Sequence, residues 1–331
     1  MSGGDASRVA PARRRSSRGT DLLILITNWF VHNVGGVAVA QFSYLVGFIG
    51  SGIGRSLGLE LHEREAQRHG GLRYLCRRVN ADAPAFRGRS TGELLRTCRN
   101  FGFSGLDIAH PFRTRVVPFV NELSETAARV GSVDFIVFTP DGRAIGHNTD
   151  VAGCVASFVR GLPEVPLDRV VQIGAGAAGI AAAHALRERG VRHISVTDPT
   201  PSRAEALAER LNQGTGPDWA EAFPVDALAS RLKQADGLVH TLTPGSRGFR
   251  DTALCESLHP GLWIFDAHQH HAISTPLLRA GSELGCRVLH GGGVLVHETA
   301  AAFRLVTGLA PHTSRMFGDF ADLTAGPLAH T

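Results

Sequence analysis

The chain has no cysteine arrangement that would staple it or hold a metal. Its five cysteines (Cys76, Cys98, Cys154, Cys255 and Cys286) are scattered, odd in number and free of any CxxC or zinc spacing. That excludes a disulfide scaffold and predicts reduced thiols and a cytoplasmic protein with no bound metal. There is also no apolar run long enough to span a bilayer. The nearest, DLLILITNWFVHNVGGVAVA, follows a basic stretch and has the outline of a signal segment, but Asn28, Trp29, His32 and Asn33 interrupt it. Residues 1–43 therefore read as a poorly ordered extension. Charge of one sign is not in large excess: 34 basic against 30 acidic residues give +4, and much of it lies in RVAPARRRSSR. Such a run is a solvated tail, so neither nucleic acid nor membrane is an expected partner. No internal repeat is present.

What is present is glycine and alternation. Length alone, 331 residues, suggests two domains with full cores. In the first half, SYLVGFIG, LRYLCRRVNAD and FSGLDIAH read as strands. LELHEREAQRHG and STGELLRTCRNFG read as helices, the second capped by Ser90 or Thr91. TRVVPFVNELSETAARVG reads as mostly helical, and SVDFIVFTPDGRAIGHN as a hairpin turning at Asp141-Gly142. The second half alternates strands (RVVQI, HISVTD, DGLVHTL, LWIFDA, RVLHGG) with helical segments, which implies a parallel sheet with right-handed crossovers. A last helix runs from Val294 to about Gly308.

GAGAAG, between a strand and a helix, places Gly174, Gly176 and Gly179 at the dinucleotide spacing, with Ala177 and Ala178 opening the helix. The first glycine allows the tight turn, the second the approach of a pyrophosphate, and the third close helix–strand packing. Free N–H groups at the helix start then face the phosphates. Asp198 ends the next strand, 19 positions after Gly179. A carboxylate there accepts from ribose hydroxyls and repels a 2′-phosphate, which favours NAD over NADP. Arg203 is the residue that could pair with a 2′-phosphate. Thr243 and Gly293 complete the expected cofactor contacts.

Several stretches together resemble the shikimate/quinate dehydrogenase family: GHNTDVAG (146–153), GLDIAHPFR (105–113), ELSETAARVGSVD (122–134), GFIGSGIGRSLGLELHE (47–63) and GGGVLVHETAAAFRLVTG (291–308). The likeness runs from about residue 44 to 320 and is greatest to the NAD-preferring, actinobacterial-type branch. It implies an α/β fold: an N-terminal α/β substrate domain (44–150, completed by 294–331) and a Rossmann-type doubly wound parallel sheet (151–293). The C-terminal helices return to the first domain. It implies hydride transfer between nicotinamide and a ring carbinol or ketone, beside a lysine–aspartate pair that handles the proton.

The chain departs from that pattern at the substrate. Asp150 keeps the dyad aspartate and Ser56 the first loop hydroxyl. Gly58 replaces the second hydroxyl, Asp107 and Asp134 the two asparagines, Ala109 the threonine and Glu298 the glutamine. Arg113 stands at the lysine. An arginine stays protonated near neutral pH, so Arg113 can orient a carboxylate or carbonyl but cannot alternate as acid and base. Proton transfer would pass through Asp150, water or a histidine. His110 and His147 are poorly placed by strand alternation, and the HQHH run (His268, His270, His271) lies at the end of a sheet strand. Three new acids beside Asp150 disfavour an anionic ligand and favour a cationic one, such as an amino-substituted cyclic polyol. The expectation is a cytoplasmic NAD-dependent oxidoreductase acting on a cyclic polyol or amino-polyol, with room for homodimer formation. The alternative is a catalytically silent dinucleotide-binding homologue acting as a sensor or partner protein.

Overall fold

In the computed structural model, residues 42–213, 218–242, 254–267 and 275–325 are described. The extension assigned to 1–43 lies outside them except at its end, where Phe42 and Ser43 already belong to a strand.

The first sheet has six strands: β1 (Phe42–Gly50), β2 (Leu72–Asn80), β3 (Gly105–Ile108), β4 (Glu122–Leu123), β5 (Phe135–Phe138) and β6 (Ala144–His147), in the order β2-β1-β3-β5-β6-β4. β1 pairs in parallel with β2 and β3, while β5 runs antiparallel to β3 and β6. Two helices lead its opposite faces: α1 (Leu57–Gln67) and α2 (Thr91–Asn100). α2 starts in a full capping box, with Ser90 Oγ accepting from Glu93 N and Glu93 accepting from Ser90 N. On β3 the pleat sends Leu106 and Ile108 into the core that α2 covers. Asp107 points the other way, toward the α1 side.

One expectation for this half needs refinement. The stretch 114–131 is helical over most of its residues, but not as one continuous helix. It breaks into α3 (Phe112–Arg115), a 3-10 turn at Val117–Phe119, β4 and α4 (Glu125–Val130). Pro118 lacks the N–H that a continuing helix needs, and α4 stops at Gly131, whose φ of +71° suits the left-handed cap. The hairpin stands as expected, with Gly142 at φ +82°.

The second sheet is wholly parallel: β7 (Arg169–Ile173), β8 (His193–Thr197), β9 (Ala220–Ala222), β10 (Gly237–His240), β11 (Trp263–Asp266) and β12 (Arg287–His290), in the order β12-β11-β10-β7-β8-β9. This is the doubly wound Rossmann order, with its switch point between β7 and β10, where a crevice opens at the strands' carboxyl ends. The helices are α5 (Asp150–Gly161), α6 (Ala177–Glu188), α7 (Pro201–Asn212), α8 (Leu228–Leu232) and α9 (Pro276–Glu283). α10 (Gly292–Thr307) begins two residues before the expected Val294 and packs on α1 and α5, and α11 (Thr313–Ala325), which the sequence pattern did not predict, follows it.

An ionic cluster fastens this returning segment. Glu65 is fully buried on α1; its Oε1 accepts from His312 N at 2.6 Å and meets the His69 and His312 ring nitrogens at 2.9 Å. Arg68 lies 3.1 Å from its Oε2 and 2.7 Å from Asp319 of α11. The groups are close enough to surround an ion, but a guanidinium already neutralises the carboxylate, so the cluster acts as a staple.

Candidate active site

The cofactor end is built from three glycines with three different constraints. Gly174 has φ +104°, a conformation that a side chain rarely adopts. At Gly179 a Cβ would lie 2.2 Å from the carbonyl oxygen of Gly174, so any side chain would push α6 off the turn. At Gly176 a Cβ would meet nothing within 4 Å, which leaves space for a ligand. Gly176 and Ala178 are exposed, Ala177 is half-buried, and no side chain caps α6. Its free N–H groups therefore face solvent, as a pyrophosphate site needs. These residues fit a dinucleotide.

Two residues that sequence reasoning missed hold the turn. Gln172 is fully buried and donates from Nε2 to the carbonyls of Gly174 and Gly179, both at 2.9 Å. Thr241, at the end of β10, donates to Ile173 O at 3.0 Å. Inward alternation of a polar residue in the apolar β7 run was the available signal.

Asp198 ends β8 as expected, but it is buried and tied to the backbone: Oδ2 accepts from Ala175 N and Oδ1 from Thr200 N, each at 2.8 Å. One lone pair on each oxygen remains for ribose hydroxyls. Arg203 is exposed in the first turn of α7. Gly293 sits in α10, where its absent Cβ admits Ser157 Oγ of α5. Thr243 and the His268/His270/His271 run lie outside the described residues.

At the other end, the structure brings the altered substrate residues together. Arg113 of α3 donates from Nε to Ile108 O at 3.0 Å and from Nη1 to Asp150 Oδ2. No described residue takes its Nη2. Asp150 opens α5 and is buried, with Oδ1 lacking a partner. Asp134 is also buried; its Oδ2 accepts from Thr149 N at 2.6 Å and Asp150 N at 2.7 Å. Asp134 thus caps α5 and aims Asp150, while Asn148 braces the same turn through Ser132 at 3.3 Å. Glu298 reaches in from α10, and its carboxyl is hydrogen-bonded to that of Asp150. Asp107 is half-buried, with no hydrogen bond or ion pair among the described residues. The point where a Cβ on Gly58 would sit is 3.7 Å from Asp107 Oδ2 and 3.6 Å from Thr299 Oγ1, so the missing side chain opens room between them. Ser56 Oγ accepts from Leu59 N at 3.3 Å as the cap of α1 and keeps its O–H to donate.

The electrostatics follow from four acids around one guanidinium. Burial, opposed by Arg113, pushes Asp107 up to about 7. Burial and the neighbouring Asp150 carboxylate push Asp134 and Glu298 well above the carboxylate range. The surrounding acids raise Arg113 further, so it stays charged. No lysine can substitute: Lys233 is the chain's only one, and it is exposed beyond α8. Of the histidines weighed from sequence, His110 is exposed and His147 is half-buried on β6, where burial lowers its pKa.

A Rossmann sheet with an exposed phosphate cradle, joined by α5 to a cleft of ionisable side chains, defines a nicotinamide-dinucleotide dehydrogenase architecture. Comparisons make this specific. Residues 48–136 match the family model described as "Shikimate dehydrogenase substrate binding domain", and 160–246 match "Shikimate / quinate 5-dehydrogenase". The chain belongs to the shikimate/quinate dehydrogenase family. A shikimate dehydrogenase (NADP(+)) of Streptomyces avermitilis is 47% identical over 86% of this chain and 97% of its own length. A quinate/shikimate dehydrogenase (NAD(+)) of Corynebacterium efficiens is 38% identical over 85% of this chain and 99% of its own. Among solved structures, quinate dehydrogenase from Corynebacterium glutamicum in complex with NAD superposes with a TM-score of 0.78, at 35% identity over 85% of this chain and 99% of that one.

Proposed function

We propose that the protein is an NAD-dependent oxidoreductase that moves a hydride to or from a ring carbinol of a shikimate-like cyclic substrate carrying an amino group. Residues 44–150 with 294–331 form the substrate domain, residues 151–293 form the NAD domain, and the enzyme works in the cytoplasm. The observation that carries the substrate reading is Asp107, a half-buried carboxylate without a hydrogen-bond or ion-pair partner among the described residues, facing the space that Gly58 vacates. An ammonium group would supply the missing counter-charge, whereas a second anion would meet Asp107, Asp134, Asp150 and Glu298. Arg113 orients the substrate with its free Nη2. NAD is favoured by the acidic Asp198 at the ribose position and by the likeness to NAD(+)-named relatives, against the NADP(+)-named one. When bound, NAD supplies the hydride acceptor.

The test is to mix purified protein with NAD and a panel of shikimate, quinate and their amino-substituted analogues, following absorbance of the reduced cofactor. The expected result is turnover of an amino analogue with a kcat/KM at least about 10-fold above that for shikimate. Equal or better turnover of shikimate rejects the amino reading. A second reading, a silent dinucleotide-binding sensor or partner protein, is favoured by one observation: Arg113 closes on Asp150 where a titrating pair would stand. NAD binding by calorimetry with no turnover across the panel would support it.

A further inference from the structure

We propose that Thr299 and Gly58 complete, with Asp107, a small seat that takes an unsubstituted amino group of the ring and excludes an N-alkylated one. This rests on the amino-substrate reading above, and adds the residue that shares the group with Asp107 and the residues that limit its size. The first support is Gly58, in the first turn of α1 and helical in conformation. Close packing explains other glycines: at Gly153 of α5 a Cβ would lie 3.0 Å from Glu298 Cγ and 3.2 Å from Val294 O of α10. It does not explain Gly58. A Cβ there would meet only ordinary contacts, Leu295 Cδ1 and Thr299 Oγ1 at 3.6 Å and Asp107 Oδ2 at 3.7 Å. Alanine would fit and would favour the helix. What the missing methyl leaves is room for a heavy atom, between an apolar wall and two oxygens.

The second support is Thr299 itself. It is only 4% exposed, yet its hydroxyl makes no hydrogen bond among the described residues. A helical threonine can satisfy its hydroxyl on the carbonyl four residues back, as Thr307 of the same helix does on Phe303 O at 2.8 Å. Thr299 lies beside the Gly58 point instead. Leu295 and Thr299 are four apart and share a face of α10. Leu57 and Leu61 of α1 pack with Val296 and Ala300, which holds that helix over Gly58. Asp107 arrives from the sheet, on the α1 side of β3. The occupant follows from the two oxygens. An Asp107 carboxylate only accepts, and Thr299 Oγ1 can accept while keeping its O–H. A primary ammonium donates to both and meets the carboxylate's charge, since the nearby Arg113 is already paired with Asp150. A hydroxyl could bridge the same oxygens but would leave that charge unmet. An N-methyl carbon would take the place of a donor or press on Leu295.

Calorimetry on protein saturated with NADH, which prevents oxidation of the ligand, tests this with three probes: shikimate, the amino-substituted analogue that binds best, and the N-methyl form of that analogue. The primary amine should bind at least about 10-fold more tightly than its N-methyl form. Gly58→Ala and Thr299→Val should each weaken the primary amine by at least about 10-fold, and Thr299→Ser should restore most of the loss. Shikimate affinity should stay nearly unchanged. Melting temperatures should be retained or raised, because alanine suits the helix and the lost hydroxyl leaves no partner behind; a structural role for either residue would lower them. With a turned-over amine, Thr299→Val should raise KM and keep kcat. An amine preferred over shikimate but bound equally by wild type and both variants would overturn the seat and leave the amino reading standing. Equal binding of the N-methyl form would overturn its size limit. Shikimate bound as tightly as the amine would overturn the amino group as occupant, and the amino reading with it.

Discussion

At Arg113, one side-chain replacement changes what the cleft can do. The guanidinium bridges Ile108 O and Asp150, so it fixes the end of β3 to the start of α5. Arg113→Lys shortens that reach but brings back a group able to titrate. The expected outcome is a gain of shikimate oxidation, measured as reduced-cofactor absorbance. No gain would mean that the other altered positions block shikimate. Asp107 gives a pH signature. Its folded pKa of about 7 lies above the ordinary value of about 4, so its contribution is greatest below pH 4 and is lost as pH rises to 7. Asp107→Asn removes that slope and should stabilise the unliganded protein at pH 8 by a few kcal/mol, read from denaturant midpoints. His62 has the opposite sign: it is buried against Tyr74 and lowered to about 3, so stability falls as pH drops from 6.5 toward 3. Asp107→Asn should therefore make the protein more acid-sensitive between pH 7 and 4, because the compensating gain is lost.

Elements separate what a sequence can show from what it cannot. The GAGAAG turn was legible because backbone geometry dictates each glycine, and the structure returns all three constraints. Ser90 was legible as a cap for the same reason. Asp134 was not: as a substituted substrate contact it pointed to the ligand, but its Oδ2 binds the α5 amides, a partnership between residues 15 and 16 positions away in sequence that no local pattern encodes. The pairing of Arg113 with Asp150 was likewise a matter of tertiary approach. The helical reading of 114–131 held for most of its residues, but its interruptions at Pro118 and at the short edge strand β4 were not legible from periodicity. Two element-scale outcomes are expected. Gly179→Ala should abolish detectable NAD binding by calorimetry, since its Cβ meets the Gly174 carbonyl carbon and oxygen. Gly153→Ala should lower the melting temperature by several degrees, because Glu298 Cγ and Val294 O must move apart to admit the methyl.

Across the whole molecule, α10 and α11 close the substrate half after the chain has completed the second sheet. Their attachment depends on the Glu65 staple, a buried carboxylate with partners from two distant segments. Glu65→Ala leaves both histidines without this acceptor and Arg68 with Asp319 alone, and should cost about 2–4 kcal/mol, seen as a lower denaturant midpoint and faster amide exchange in α11. The architecture was legible from the alternation of strands and helices; the staple was not, because its members are ordinary surface residue types until the chain returns.

One consequence lies in the α5–α10 crossing. The two helices flank the chain that builds the nucleotide half, and they interlock through a contact only a glycine permits. Exchanging residues 169–290 for those of a relative would therefore leave the interlocked pair, and with it the recipient's choice of substrate, intact. Cofactor preference should prove transplantable with both cuts placed between the two helices, while a single crossover between Gly153 and Glu298 would take the two sides of the lock from different parents.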